Sequence, residues 1–141
     1  MSEDPRGIIA RFYDEINAGN VGVIDELVAD DFVEREEFPG ISPDKEGVRQ
    51  FFTIFRTAFP DMRMDPHEVL VDGDLACVRS TMSGTHEGDF MGMPPSGKRF
   101  EVTGFDLVRV RDGQVVEHWG VMDAMKMMQQ LGAMPDQAAP A

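Results

Sequence analysis

The second half of the chain consists of strand-like segments joined by short turns, and this arrangement limits the folds that the chain can adopt. Four segments rich in β-branched and aromatic residues follow one another: HEVLV, LACVRSTMSGTH, FEVTGFDLVRV and QVVEHWGVM. Asp72-Gly73 and Asp112-Gly113 stand between segments and are typical of two-residue hairpin turns. Because a hairpin joins antiparallel neighbours, the pattern predicts a long antiparallel sheet.

The first half has the spacing of helices instead. Apolar residues recur three or four positions apart over residues 8–16, after the favourable helix start Ser2-Glu3-Asp4-Pro5, and again near residues 24–28. The clearest helix stops before Pro60 and carries a stripe of apolar residues: Val48, Phe51, Phe52, Phe55, Ala58 and Phe59. We also expect a brief strand in DDFVEREEF and a short C-terminal helix in DAMKMMQQLGAM.

Helices followed by hairpin-linked strands are typical of an α+β domain. Three helices cannot cover both faces of a long antiparallel sheet, so we expect the sheet to curl and to wrap one face around the long phenylalanine-rich helix. Such a curl leaves a cone-shaped cavity between the helices and the sheet. The 141 residues fit a single domain, which we place at residues 1–134, with residues 135–141 as a disordered tail.

The charge balance excludes some partners. The chain has 26 acidic and 13 basic residues and a net charge of −13, which repels nucleic-acid phosphates and anionic membranes. We therefore expect neither a nucleic-acid partner nor a membrane partner. The start MSEDPRGII lacks the features of a signal peptide, and no apolar segment approaches membrane-spanning length, so a cytoplasmic location is expected. Cys77, the single cysteine, is expected to be a buried structural thiol.

The segment GMPPSGKR is similar to the phosphate-binding loop of nucleotide hydrolases, G-x-x-x-x-G-K. Pro94 and Pro95 lack the backbone N–H groups that cradle a phosphate, and Arg99 stands where such a loop has serine or threonine. The segment also leads into a predicted strand, whereas a phosphate-binding loop begins a helix. We therefore predict that the protein does not bind a nucleotide.

Two aspartates and a histidine near the end of the chain are candidates for acid–base catalysis. A two-residue turn at Asp112-Gly113 would place Asp106 opposite Trp119, so that Asp106, Trp119 and Asp123 share one face and His118 lies on the other. A one-residue bulge would exchange these faces. Desolvation raises the pKa of a carboxyl group, which suits a general base that removes a proton from carbon.

Each candidate also has a purely structural interpretation. Asp106 could form a salt bridge with Arg109 or another cation, and Asp123 could cap the C-terminal helix. His118 could be a hydrogen-bonded or exposed strand histidine. The three histidines are scattered along the chain without an i, i+4 pair, so we expect no metal site.

Three motifs occur in order: GMPPSGK at residues 92–98, GFDLVRVRDG at 104–113 and EHWGVMD at 117–123. Together with FYDEINAGN and GVRQFFTIFRTAFPDM, they make the chain resemble the SnoaL-like polyketide cyclases over residues 8–132. This family belongs to the nuclear transport factor 2-like superfamily. The resemblance implies a cone-shaped α+β barrel, usually dimeric, with an apolar pocket. It also implies closure of an aromatic polyketide ring by intramolecular aldol condensation, with an acidic residue and without metal or cofactor.

On this resemblance we assign catalytic roles to Asp123, Asp106 and His118, and we favour Asp123 because it closes the third motif. The candidates for contact with a small apolar or aromatic carbonyl ligand are Trp119, His86, Phe52, Phe55, Met91 and Arg35. Arg35 departs from the family pattern and is followed by Glu36 and Glu37. These three residues could change the accepted substrate, or they could form a solvated strand end.

Two other functions are compatible with the same cavity. A non-catalytic protein could bind a small apolar ligand there, and an epoxide hydrolase, also found in this superfamily, would hold a water molecule with an acid–base relay. The resemblance further implies a homodimer, paired through the outer face of the sheet. The stiff Pro94-Pro95 loop could be a wall of the pocket mouth, a dimer contact or an ordinary surface loop.

Overall fold

A computed structural model describes residues 4–134, which form four helices and five strands. Their order along the chain is α1 (Pro5–Asn17), α2 (Val23–Leu27), β1 (Val28–Glu34), α3 (Lys45–Ala58), β2 (Arg63–Asp72), β3 (Leu75–Thr85), β4 (Arg99–Arg111), β5 (Gln114–Met122) and α4 (Ala124–Gln130). The predicted helices and strands are all present. The predicted tail at residues 135–141 lies outside the described residues, so the domain boundary there stays a prediction.

The five strands form one curled, open sheet in the order β1-β5-β4-β3-β2. The predicted α+β class, with a curled sheet wrapped around a long helix in the manner of the nuclear transport factor 2-like barrels, is confirmed. One detail differs, because β1 pairs parallel to β5 while the other strands pair antiparallel. No short turn joins β1 to β5, so no hairpin fixes its direction.

The long helix α3 has clear sequence signals at both ends. It begins after Asp44, whose carboxylate accepts a hydrogen bond from the Gly47 N–H at 3.0 Å. It ends at Ala58, two residues before Pro60, because proline disfavours helical backbone in the residue that precedes it. Among the residues that the structure describes, no helix is long and apolar enough to cross a membrane.

The concave face of the sheet packs on the aromatic face of α3. Phe55 and Phe59 are fully buried, and the ring of Phe59 lies 4.8 Å from that of Phe100 on β4. Gly84 on β3 permits this approach, because a Cβ there would lie 2.8 Å from the Cβ of Phe59. The C-terminal half of α3 is therefore packed closely on the sheet, and free space remains beside its N-terminal half.

The hairpin between β4 and β5 contains a bulge. Asp112 and Gly113 both adopt left-handed backbone, with φ of 52° and 74°, which is the geometry of the predicted two-residue turn. Arg111 pairs with Gln114 as predicted, but Val116 of β5 then has no residue opposite it on β4. Every later pair is shifted by one residue.

This bulge exchanges the predicted faces. Asp106 lies opposite Gly120 instead of Trp119, and Trp119 lies opposite Leu107. Because side chains alternate along a strand, His118 and Gly120 share the face of Asp106, and Trp119 lies on the other face. The predicted register of β5 is wrong from Val116 onwards, and the error concerns the residues that matter most for the site.

The packing of α3 gives a prediction for stability. Truncation of the fully buried Phe55 to alanine leaves a cavity in the core and should lower the free energy of unfolding by about 3–5 kcal/mol. Thr53→Ala, at an exposed position on the same helix, is the matched control and should change it by less than about 0.5 kcal/mol. Urea unfolding of both variants measures the difference, and similar midpoints would contradict the described packing.

Candidate active site

A cavity of about 790 Å³ lies between α1, the N-terminal half of α3 and the concave face of the sheet. Its walls are mostly apolar, and they include aromatic and thioether side chains: Phe12, Phe32, Phe38, Phe51, Phe52, Met64, Met82 and Met122. A volume of this size is typical of sites for small organic ligands. Methionine is unbranched and flexible, so several wall positions can adapt to the shape of a ligand.

Four polar side chains of the cavity wall form one hydrogen-bonded network, and they come from the neighbouring strands β1, β5 and β4 and from α1. His118 of β5 is at their centre: its Nδ1 lies 2.5 Å from a carboxylate oxygen of Glu34, and its Nε2 lies 2.7 Å from Oδ1 of Asp106. Only 18% of the His118 side chain is exposed. Carboxylate oxygens can only accept hydrogen bonds, so both ring nitrogens of His118 carry a proton here.

The environment of His118 favours its charged form. Burial alone would lower the pKa of His118, but hydrogen bonds and opposite charge from Asp106 and Glu34 outweigh burial and raise the pKa to about 10. His118 is therefore an imidazolium at neutral pH. Of the two interpretations of this residue, exposed and hydrogen-bonded, the structure supports the hydrogen-bonded one and places it in the cavity wall.

Asp106 is held from two sides. Besides His118 at Oδ1, it accepts a hydrogen bond at Oδ2 from the hydroxyl of Tyr13 on α1, at 3.0 Å. Burial and the negative charge of Asp106 raise the pKa of Tyr13 far above its usual value, so the phenol stays neutral. The salt bridge of Asp106 is formed with another cation, His118, and not with Arg109, because Arg109 lies on the outer face and pairs with Asp74 and Glu117.

Glu36 follows β1 and brings a third carboxyl group to the cavity wall. Its backbone N–H donates to the Glu34 carboxylate at 3.1 Å, and its side chain lies over Gly120 of β5. A Cβ at Gly120 would come within 3.0 Å of side-chain atoms of Glu36, His118 and Asp106, so a larger residue there would displace these groups. Burial raises the pKa of Glu36; the charge of His118 opposes this shift, and the charges of Asp106 and Glu34 add to it.

Arg35 also lines the cavity, but its charge is already compensated. Its Nε donates to Glu117 at 2.9 Å, and Arg109 contacts the same carboxylate at 3.2 Å. The hydrogen bond from Arg35 is the main reason why the pKa of Glu117 is lowered. Arg35 therefore contributes to the wall of the cavity without bringing an unpaired positive charge to it.

Of the two predicted aromatic contacts on α3, one lies at the cavity and one does not. Phe52 lines the cavity. Phe55 is one helical turn further along, is fully buried and packs on Phe51, with ring centroids 4.3 Å apart, and on Phe90. Phe55 therefore packs against residues of the cavity wall without contacting the cavity, because it lies in the closely packed C-terminal half of α3.

Asp123, the favoured catalytic residue, lies outside the cavity lining. It precedes α4, its side chain is exposed, and Oδ1 accepts a hydrogen bond from the Lys126 N–H at 3.1 Å. This is the helix cap that the sequence offered as the alternative. Trp119 is also outside the lining, because the bulge turns it to the outer face of the sheet.

His86 and Met91 lie near the Pro94-Pro95 loop, and neither lines the cavity. His86 is buried with 2% exposure; its ring packs on Phe59, and its Nδ1 lies 3.0 Å from the hydroxyl of Ser96. Met91 is 48% exposed on the surface. His86 therefore anchors the loop to the core, and it does so away from the polar end of the cavity.

The loop at residues 92–98 leads into strand β4, as expected for a segment that is not a phosphate-binding loop. Its residues do not line the cavity, so the interpretation as a wall of the pocket mouth is not supported. Lys98 lies with its ammonium group against Gly132, just beyond the C-terminal end of α4. Cys77 is half-buried instead of buried, because it lies on the outer face of β3.

Glu34, Glu36 and His118 present possible metal-ligand atoms within 4.8 Å of one another. A metal ion binds neutral imidazole, so it would have to displace the Nδ1 proton that the neighbouring carboxylates stabilise. We therefore assign these residues no role as metal ligands.

Sequence reasoning from periodicity did not identify Glu34, and it placed Tyr13 in a helix without a role at the site. Glu34 and His118 are 84 residues apart in the sequence, and they meet across the parallel pair of β1 and β5. Tyr13 and Asp106 are 93 residues apart. Gly120 could have indicated the site, because a glycine inside a strand often marks a close approach of other groups.

Comparison with known proteins places this chain in a family. A family model for SnoaL-like polyketide cyclase matches residues 7–131. Aklanonic acid methyl ester cyclase DnrD of Streptomyces peucetius is 27% identical over 125 residues, which cover 83% of this chain and 85% of that protein. Nogalonic acid methyl ester cyclase of Streptomyces nogalater is 25% identical over 118 residues, which cover 82% of this chain and 88% of that protein.

Solved structures agree with the fold. Wild-type IdmH from Streptomyces antibioticus is 36% identical with a TM-score of 0.81, and the match covers 92% of this chain and 99% of that chain. TsrD from Streptomyces laurentii is 27% identical with a TM-score of 0.83, over 94% of this chain and 100% of that chain. The chain belongs to the SnoaL-like polyketide cyclase family.

Proposed function

We propose that the protein is an enzyme that closes a ring in a small polyketide ester by an intramolecular aldol-type reaction, without a cofactor. The observation that carries this proposal is the contact between the Asp106 carboxylate and the His118 imidazolium at the wall of a largely apolar cavity. The names of two relatives, both methyl ester cyclases, support the reaction class. An apolar cavity suits a flat, uncharged carbonyl compound.

The first chemical step is the removal of a proton from a carbon next to a carbonyl group. Asp106 is the base: each of its oxygens accepts one hydrogen bond in the free protein and has a second lone pair to receive the proton. The electron pair of the broken C–H bond is delocalised onto the carbonyl oxygen as an enolate. The positive charge of His118 stabilises this negative charge, and such stabilisation is strong in a site that excludes water.

The second step forms the ring. The nucleophilic carbon of the enolate attacks another carbonyl carbon of the same molecule, and a C–C bond forms. The π electron pair of that carbonyl moves to its oxygen, which becomes an alkoxide and takes up one proton. The proton taken from carbon and the proton given to oxygen balance, so no external reagent is consumed.

The assignment of Asp106 predicts a difference between two aspartates. Asp106→Asn removes the base and should lower kcat by about 10²–10⁴-fold on aklanonic or nogalonic acid methyl ester, with a smaller change in KM. Asp123→Asn is the matched control, because Asp123 lies outside the cavity, and it should retain the wild-type rate. If both folded variants keep wild-type rates, Asp106 is not the base; if the wild-type protein binds the ester without converting it, the protein acts as a binding protein for an apolar ligand instead.

The role of His118 requires it to stay charged at neutral pH. A group whose pKa is raised in the folded state stabilises the fold fully below its unfolded pKa, here 6.5, and this contribution disappears as pH rises through the folded pKa of about 10. NMR titration of the ring should show a protonated His118 at pH 8, and the stability advantage over His118→Gln should shrink between pH 7 and 10. Titration of His118 near its ordinary pKa of 6.5 would contradict the assignment.

We also propose that two copies of the chain pair through the outer face of the sheet. Apolar side chains on that face are exposed: Leu70 is 71%, Val121 68% and Phe105 46% exposed. Phe105 and Val121 lie opposite each other on β4 and β5, and adjacent exposed apolar side chains are typical of interfaces.

Sedimentation equilibrium tests the pairing. The wild-type protein should sediment as a dimer at micromolar concentration, and Phe105→Glu should shift it toward monomer because a charge would be buried at the interface. Thr53→Glu, which adds the same charge on the exposed side of α3, should leave the dimer intact. A wild-type protein that is entirely monomeric under these conditions would refute the pairing.

A further inference from the structure

Two carboxyl groups of the cavity wall, those of Glu36 and Glu37, have no hydrogen bond or ion pair to another described residue, and Glu36 is the partly buried one. Glu34 accepts from His118, and Asp106 accepts from both His118 and Tyr13. Among the described residues, no side chain or backbone N–H donates to the carboxyl oxygens of Glu36. The ring closure described above leaves the carboxyl group of Glu36 without a role.

The other proton carriers of the wall are poorly suited to give a proton to the alkoxide. His118 donates both of its N–H groups to carboxylates that raise its pKa to about 10. Tyr13 donates its hydroxyl to Asp106, and its pKa is raised much further from neutrality. Both groups would have to break a hydrogen bond to a charged acceptor before they could transfer a proton.

Glu36, in contrast, is positioned next to the base. Its side chain, His118 and Asp106 converge over the bare backbone of Gly120, where a Cβ would lie within 3.0 Å of all three. The aldol step removes a proton from a carbon and delivers one to an oxygen that is two bonds away from that carbon in the product. Two neighbouring carboxyl groups match this requirement, because one can face the carbon while the other faces the oxygen.

We infer that Glu36 is the general acid of the proposed ring closure, which donates its proton to the alkoxide oxygen while Asp106 receives the proton from carbon. The O–H bond of Glu36 breaks, its electron pair stays on the carboxylate, and the proton forms the new hydroxyl group of the product. Asp106 ends the step protonated and Glu36 ionised. Transfer of one proton from Asp106 to Glu36, directly or through water, restores the starting state. This inference rests on the proposed function.

The charged groups around Glu36 favour its protonated form. Glu34 on β1 and Asp106 on β4 are negative, and His118 on β5 is positive. Tyr13 on α1 is neutral, and Arg35, next to Glu36 in the chain, is paired with Glu117. Burial, together with repulsion by two carboxylates, outweighs the attraction of one imidazolium, so the pKa of Glu36 is raised. Environments that separate two carboxyl groups in this way set acid and base roles in other enzymes.

The experiment separates the two proton transfers. In deuterated water, removal of the carbon-bound proton is measured by hydrogen–deuterium exchange in a methyl ester substrate, and ring closure is measured by product formation. Glu36→Gln keeps the shape of the side chain but cannot donate a proton. We expect ring closure to fall by about 10²–10⁴-fold while exchange at carbon continues, because the enolate forms and is reprotonated by Asp106. Asp106→Asn should abolish both exchange and closure.

A pH profile and a rescue distinguish chemistry from structure. The wild-type kcat should fall as pH rises through the pKa of Glu36, and Glu36→Gln should lack this fall but keep the one that accompanies deprotonation of His118 near pH 10. Formate should restore part of the ring closure in Glu36→Ala, because it can occupy the vacated space and carry a proton. Glu87→Gln, the same substitution at an exposed site outside the cavity, is the control and should behave as the wild type.

Each other result overturns the inference. If Glu36→Gln closes the ring at the wild-type rate, Glu36 is not the acid. If Glu36→Gln loses exchange together with closure, and formate does not restore Glu36→Ala, then Glu36 shapes the site or acts as the base. If the wild-type protein shows neither exchange nor closure, the proposed function itself fails. This failure is seen in the wild-type protein alone, whereas a failure of the role of Glu36 is seen only in the variants.

Discussion

The positive charge of His118, enclosed by carboxylates, is the interaction on which the site depends. A buried charge is stable only with opposite charge close by, and here Glu34 and Asp106 provide it from the strands on either side of β5. The pairing also fixes the edge strand β1, which no hairpin joins to its neighbour. Next to the side-chain contact, the Arg35 N–H donates to the His118 carbonyl at 2.8 Å, so the charge pair and the sheet hydrogen bond together set the end of β1.

The same enclosure gives the three carboxyl groups different properties, although they lie close together. One carboxylate oxygen of Glu34 accepts the hydrogen bond from His118, so this oxygen is not available to a substrate. Asp106 is oriented by His118 and Tyr13, which leaves it fixed but able to receive a proton. Glu36 has no donor among the described residues and is repelled by its neighbours. In the proposed reaction, one imidazolium thus divides an acidic cluster into orienting, basic and acidic members.

The fold could be predicted from the sequence to a large extent, and the site only partly. The phenylalanine stripe of α3 and the Asp-Gly turns are local signals, and they gave the helix, the hairpins and the curled sheet. The register of β5 was not predictable, because Val116 fits a regular strand as well as a bulge. That single residue moves His118 into the cavity and Trp119 out of it. Asp123 carried a family motif and a capping signal, and the structure shows the cap.

The cavity has a further consequence for the energetics of the whole domain. About 790 Å³ beside α3 is not filled by side chains, so the aromatic residues around it lack contact partners on one side. A ligand that fills this space supplies those contacts and acts as a missing part of the hydrophobic core. Binding and folding are then thermodynamically linked, and the free energy of unfolding rises with ligand concentration as RT ln(1 + [L]/Kd). The resistance of this domain to heat is therefore a property of the protein and its ligand together.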